Sequence, residues 1–290
     1  MTEMRYEAPR TLEAALALLA AANGKAKILA GGTDLLIQMR AGRAEPELLV
    51  DVKGIPELTS ISEEGGAYRV GAAVPCMQLI EHPRLAMTWP GVIDGVKLIG
   101  SIQVKGRATL GGNLCNASPA ADSVPGLIAA NARASIAGPR GRREVAVAEL
   151  AVGPGRTALA PEEILVSFLL PRRPPRSGDA YLRFTPRTEM DIAVVGAAVN
   201  LTLDAQGACS EARVSLGAVA ERALLVPEAA AALVGSRVEG AALERLAAAA
   251  SAACRPIDDK RGTREFRIKV AGVMARRAAA IALERARRAG

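Results

Sequence analysis

The chain has 290 residues, half of them hydrophobic, with 37 Lys and Arg against 30 Asp and Glu and a net charge of +7. This length allows about two domains and burial of about three-quarters of the unfolded surface, as in a globular protein. Aromatic residues make up 2%, which argues against a stacking platform for nucleic-acid bases. Acidic residues are interspersed among the basic ones, so the positive balance reads as arginine-rich solvated faces that also suit an anionic ligand.

Taken in order, Thr11–Ala22 reads as a helix with Thr11 at its N-cap, stopped by Asn23-Gly24. Lys27–Ala30 is a short strand that runs into Gly31-Gly32. Leu35–Met39 then makes a helical turn, and Leu48–Val52 a second strand. Ala67–Ala73 alternates as a strand, Pro75 opens a helix to about Glu81, and Gly91–Ile99 is a further helix. Ile99–Gly106 leads into a second glycine pair, Gly111-Gly112, backed by a helix over Pro125–Asn131. Ala134–Ala137, Glu144–Val147 and Ile164–Leu170 are strands.

Pro171–Ser177 (PRRPPRS) reads as an extended linker with solvated arginines. Beyond it, Ala180–Phe184, Val194–Leu203 and Ala212–Ala218 suggest an antiparallel sheet, and Ala223–Ala253 two Ala-rich helices. Arg264–Ala289 suggests a last amphipathic helix with Phe266, Val270, Val273 and Met274 on its apolar side. Its arginines read as the wet face, with a partner-subunit contact as the alternative.

Several chemistries find no support. Cys76, Cys115, Cys209 and Cys254 lie too far apart for a CxxC, zinc or iron–sulfur pattern, and read as the reduced thiols of a cytoplasmic protein. His82 is the one histidine, so a multi-His metal site is ruled out. With no GxSxG beside it, a hydrolytic triad has no support either. The start of the chain lacks a basic–apolar–small signal pattern, and the run Leu16–Ala22 is too short to span a bilayer.

The informative stretches are the two glycine turns. A residue without Cβ accepts positive φ and lets a phosphate approach backbone N–H groups. Each turn follows a short apolar segment and is followed by small polar groups: Thr33 and Asp34 in the first, Asn113, Asn116 and Ser118 in the second. The glycines alone are compatible with two ordinary turns or with two loops gripping one diphosphate. GxGxxG and GxxxxGK[ST] are both missing.

The surrounding residues carry a resemblance. Lys27–Arg40 (KILAGGTDLLIQMR) and Ala108–Ala129 (ATLGGNLCNASPAADSVPGLIA) resemble the two FAD loops of the flavin subunits of molybdenum hydroxylases, and the similarity extends over essentially the whole chain. It implies an α+β protein: a two-subdomain FAD-binding fold of the vanillyl-alcohol oxidase (PCMH) type over 1–55 and 56–173, then a C-terminal sheet-and-helix domain over 178–290.

By resemblance, FAD is held noncovalently. Ile28, Leu29, Ala30, Gly31, Gly32, Thr33, Asp34 and Leu35 form the first loop, and Thr109, Gly111, Gly112, Asn113 and Asn116 the second. Both bind the diphosphate largely through backbone amides, with hydroxyls from Thr33 and Thr109 and with the Asp34 carboxylate turned away. Asp122 matches a family aspartate that holds a polar part of FAD; it also reads as a helix N-cap. Leu165 matches an apolar contact to the flavin ring. Ile99 stands where a relative has an aromatic, and Thr185 where relatives often have a lysine. Cys115 reads as facing the ring edge or as a small buried thiol.

The implied function is an electron-transfer subunit: a [2Fe-2S] subunit delivers electrons to FAD, and a separate large subunit oxidises substrate at a molybdenum cofactor. The expected partners are those two subunits, with no nucleic acid and no membrane span. The alternatives are a self-contained flavin oxidoreductase of the same fold, which needs an acid or base beside the ring, and a nucleic-acid-binding protein, motivated by charge alone.

Overall fold

The computed structural model describes residues 4–188 and 190–289. A three-stranded parallel sheet comes first, in the order Arg5–Glu7, Leu48–Asp51, Ala26–Leu29. A five-stranded antiparallel sheet follows, in the order Ile61–Glu64, Ala67–Gly71, Ile164–Leu170, Arg133–Gly138, Gly141–Ala146. A four-stranded antiparallel sheet contains Ser177–Phe184, Val195–Leu203, Cys209–Gly217 and Leu224–Leu225. A small hairpin pairs Ala151–Gly153 with Arg156–Thr157. Arg5–Glu7 has only three residues, too few to show a period in the sequence, and docks because Leu48–Asp51 presents a free parallel edge.

Ile164–Leu170 (ILVSFLL) is apolar along most of its length because both of its faces are covered. Ile164 and Val166 pack with Leu12, Leu19, Val50 and Leu58, joining the first two sheets. Leu165, Phe168 and Leu170 pack on the opposite core, with Trp89, Val92, Leu110 and Leu127. The side alternation breaks between Leu165 and Phe168 because the ladder to Arg133–Gly138 shifts register between Leu165 and Ser167. That bulge puts Leu165 on the same side as Phe168.

The helix Leu12–Ala21 starts as the sequence predicts. Thr11 is extended, and its hydroxyl accepts the Ala14 N–H at 3.2 Å. Replacing Thr11 with alanine is expected to cost about 1 kcal/mol in a urea unfolding curve.

The third core lies between the four-stranded sheet and the helices Ala241–Ala253 and Arg264–Arg288. Here the structure corrects the expected apolar face of the last helix. Phe266 and Val273 are exposed, and the buried stripe is Ala271, Met274, Ala275, Ala278, Ala282 and Ala286. Small residues are required because the helix lies directly on strand Ser177–Phe184. A Cβ on Gly178 would stand 1.9 Å from the Ala282 carbonyl oxygen.

The expectation of solvated arginines also fails in three places. Arg173, in the linker, is only partly exposed: it pairs with Asp179 at 2.7 Å and lies over the Trp89 ring. Arg267 is buried and donates to the Val194 carbonyl and to Asp259. Arg285 makes a two-pronged pair with Asp94 at 2.6 and 3.2 Å. Each joins segments remote in sequence, which a linear reading cannot pair. No helix among the described residues is long and apolar enough to cross a membrane.

Candidate cofactor site

The two glycine turns meet along one cavity of about 850 Å³, within the usual size of a cofactor pocket. The first packs backbone to backbone on the segment that leads into the second. A Cβ on Gly31 would lie 2.1 Å from the Arg107 carbonyl oxygen and 3.0 Å from the Ala108 Cα. Gly32 follows at φ +77°, a region that L side chains rarely adopt. The chain then turns into the helix Leu35–Arg40, where the Leu36 N–H returns to the Gly32 carbonyl at 3.1 Å. The five consecutive N–H groups of Gly31, Gly32, Thr33, Asp34 and Leu35 find no acceptor among the described residues. All five residues line the cavity.

The second turn is built differently from expectation. Thr109 N-caps the short helix Leu110–Cys115, its hydroxyl oxygen accepting the Gly112 N–H at 2.9 Å. The Gly111 N–H donates to the Ala72 carbonyl at 3.0 Å, and the Asn113 N–H to the Thr109 carbonyl at 3.0 Å. These amides are engaged inside the protein, so what this loop presents to the cavity is mainly side-chain groups. Thr109 accepts through oxygen and keeps its O–H proton. Asn113 accepts from the Ser123 hydroxyl at 2.7 Å and keeps its NH₂ group. Asn116 accepts from the Gln38 amide at 2.9 Å, which ties the helix after the first loop to the second.

Of the residues singled out in the sequence, Ile28, Ala30, Gly31, Gly32, Thr33, Asp34, Leu35, Ile99, Thr109, Gly111, Gly112, Asn113, Cys115, Asn116 and Leu165 line this cavity. Leu29 pairs in the parallel sheet beside it. Cys115 is exposed rather than a buried thiol. Asp34 is exposed at the rim and accepts no hydrogen bond among the described residues; partial desolvation raises its carboxyl pKa.

Asp122 and Thr185 lie outside the lining. Asp122 is buried at the junction with the four-stranded sheet, where one oxygen accepts from the Tyr181 hydroxyl at 2.9 Å and the other from Arg183 at 2.6 Å. Burial pushes its carboxyl up to about 6 against the opposing pull of Arg183 and Tyr181. Arg183 also donates to the Leu98 carbonyl at 3.1 Å, so this clasp stands directly behind the cavity residue Ile99. Asp122 is also the N-cap position of helix Ser123–Ala129 but makes no side-chain cap bond, because both its oxygens face the sheet. Thr185 is half-buried and donates to the Arg187 carbonyl.

Further residues complete the site without a sequence signal of their own. Lys27 and Arg156 line the cavity with no ion-pair partner among the described residues. Glu163 also lines it, but Arg143 grips it at 2.7 and 2.9 Å and thereby lowers its pKa. Set against the unpaired Asp34 carboxylate, the two cations leave the uncompensated lining charge positive, which favours an anion. His82 is engaged elsewhere, its Nδ1 accepting the Leu85 N–H at a helix start. Among the described residues, no group of three or more His, Cys, Asp or Glu is arranged to hold a metal ion.

Unpaired amides, close glycine contacts and spare hydroxyl and amide donors along one partly apolar cavity define a dinucleotide-binding protein. Comparison with known proteins gives the particular family. Residues 2–173 match the FAD binding domain in molybdopterin dehydrogenase, and residues 180–282 match the CO dehydrogenase flavoprotein C-terminal domain. The carbon monoxide dehydrogenase medium chain of Afipia carboxidovorans is 36% identical over 97% of each chain. A putative xanthine dehydrogenase FAD-binding subunit of Escherichia coli K12 is 33% identical over 94% of this chain and 93% of that one. A crystal structure of Cu,Mo-CO dehydrogenase superimposes with a TM-score of 0.93 at 36% identity, covering 97% of this chain and 98% of that one. Quinoline 2-oxidoreductase from Pseudomonas putida gives 0.90 at 30% identity, with 98% of each chain covered. The chain belongs to the FAD-binding subunits of the molybdopterin dehydrogenase family.

Proposed function

We propose that this chain is the electron-transfer subunit of a molybdenum-dependent hydroxylase. On this reading it holds one FAD noncovalently, receives electrons from a [2Fe-2S] subunit, and passes them to an external acceptor. Substrate oxidation takes place on a separate molybdenum-bearing subunit. The observation that carries the reading is the row of unpaired amides at Gly31–Leu35, set against the donors of Thr109, Asn113 and Asn116 across one cavity.

FAD, when bound, supplies redox chemistry that joins one-electron delivery to two-electron release. The chain's own residues position it. The Gly31–Leu35 amides and the Thr33 and Thr109 hydroxyls hold the diphosphate, and the uncompensated Lys27 and Arg156 offset its charge. Ile99 and Leu165 provide apolar walls and exclude water. Asp122 serves as an interdomain clasp that fixes the Ile99 corner.

Electron transfer is tested by purifying the chain alone and together with its small and large subunits, then adding the substrate of the large subunit. Flavin bleaching is expected only in the full assembly. Bleaching of the isolated chain by that substrate contradicts the reading and favours a self-contained oxidoreductase.

A further inference from the structure

Next to the first glycine turn, outside the cavity lining, stands a chain of polar side chains that the proposed cofactor contacts do not use. Lys53 donates its ammonium to the Ala30 carbonyl at 3.2 Å. Ala30 and Gly31 share that peptide, so the acceptor oxygen and the Gly31 N–H belong to one conjugated unit. The same ammonium pairs with Asp51 at 2.7 Å, and Asp51 also accepts the Lys53 backbone N–H at 3.0 Å. The other Asp51 oxygen accepts the Tyr6 hydroxyl at 2.5 Å. Asp51 is 7% exposed and closes strand Leu48–Asp51, in register with Leu29 of the neighbouring strand. The relay therefore runs from the first strand through the middle one to the residue just past the end of the third, and ends on the peptide where the loop begins.

We propose that Tyr6, Asp51 and Lys53 form a positioning relay for the first cofactor loop, with Lys53 orienting and polarising the Ala30–Gly31 peptide toward the anionic diphosphate. The inference rests on the FAD reading above. Two physical effects act together. The hydrogen bond fixes the peptide plane at a point where Gly31 and Gly32 leave the backbone little intrinsic restraint. An ammonium on the carbonyl also draws charge from the amide, which makes the Gly31 N–H a stronger donor, since linked hydrogen bonds polarise one another. Asp51 keeps the lysine in place. Burial alone raises the Asp51 carboxyl pKa, but Lys53 and Tyr6 outweigh it and hold the group below its ordinary value, so the relay stays charged at neutral pH. Tyr6 is largely exposed and its hydroxyl is the outer end of the relay.

The test uses the full chain stripped of flavin, with titrations of FAD and of riboflavin, which lacks the diphosphate. Lys53→Met is expected to raise the FAD Kd about tenfold while leaving the riboflavin Kd unchanged; because it also strips the buried Asp51 of its ammonium, both titrations are run well below the lowered thermal midpoint of the variant. Tyr6→Phe, which removes one exposed hydroxyl, is expected to raise the FAD Kd about twofold to threefold in the same selective way. An unchanged FAD Kd in Lys53→Met overturns the inference, as does an equal loss for both ligands. A wild-type chain that takes up no FAD overturns the cofactor reading and the inference together. Wild-type uptake with an insensitive Lys53→Met overturns the inference alone.

Discussion

Replacing Gly31 with alanine is expected to strip the chain of FAD. The new methyl group would lie 2.1 Å from the Arg107 carbonyl oxygen, and main chain cannot swing aside as a flexible side chain does. The two loops must separate, and the amides of Gly31–Leu35 then move away from Thr109 and Asn113. Overpacking of this kind costs about 2 kcal/mol or more, so FAD affinity is expected to fall about 30-fold or further. The measurement is flavin absorbance per purified chain. Gly42→Ala is the control. Gly42 has positive φ, which Gly31 has not, but a Cβ there meets no atom within 4 Å, and it does not line the cavity. That variant is expected to lose some stability to backbone strain and to keep its flavin.

The second large effect is expected at the domain junction. Arg183→Met leaves the Asp122 carboxylate buried with only the Tyr181 hydroxyl to answer it. Loss of one partner of a buried pair costs about 3 kcal/mol, which in a chain of this size lowers the thermal midpoint by roughly 5 °C. The loss is expected at about pH 8 and to shrink toward about pH 5, because protonation removes the uncompensated charge.

Asp122→Asn gives the complementary pH test. The Asp122 carboxyl is raised from 3.8 to about 6 by burial, against the opposing effects of Arg183 and Tyr181. Between those two values the folded state binds more protons than the unfolded one. The contribution of this group to stability is therefore fully present below the lower value and declines as pH rises through the upper one. Asp122→Asn is expected to flatten that slope. An unfolding profile over this window that is identical in wild type and variant contradicts the assignment.

Much of the site was legible because its parts are local. The Gly31-Gly32 and Gly111-Gly112 pairs, the Thr109 N-cap position and the short apolar segments before each turn are contiguous in the chain. Their chemistry follows from backbone rules that act over a few residues. The strand Ile164–Leu170 and the helix Leu12–Ala21 were legible for the same reason: each is a sustained pattern with clear boundaries.

The remainder depends on tertiary partners. The sequence gives no indication that the Gly111 N–H is claimed by the Ala72 carbonyl, so the second loop reads as offering amides when it offers side chains. Asp122 lies inside a stretch that reads as a ligand loop, yet Tyr181 and Arg183, some sixty residues later, take both its oxygens. The last helix shows the limit of amphipathic reading. Its bulky residues Phe266 and Val273 are exposed, while alanines form the buried stripe, because Gly178 brings a strand against the helix backbone. Arg173 and Arg285 look like solvated charge until Asp179 and Asp94 arrive beside them.

The central claim is that two glycine turns form a single FAD cradle. The most direct measurement is the absorption spectrum of the purified chain, followed by identification of the ligand released on acid denaturation and, for a colourless preparation, by addition of FAD in the presence of the partner subunits. The account predicts one acid-releasable FAD per chain. A chain that carries no flavin and takes up none with its partners present contradicts it.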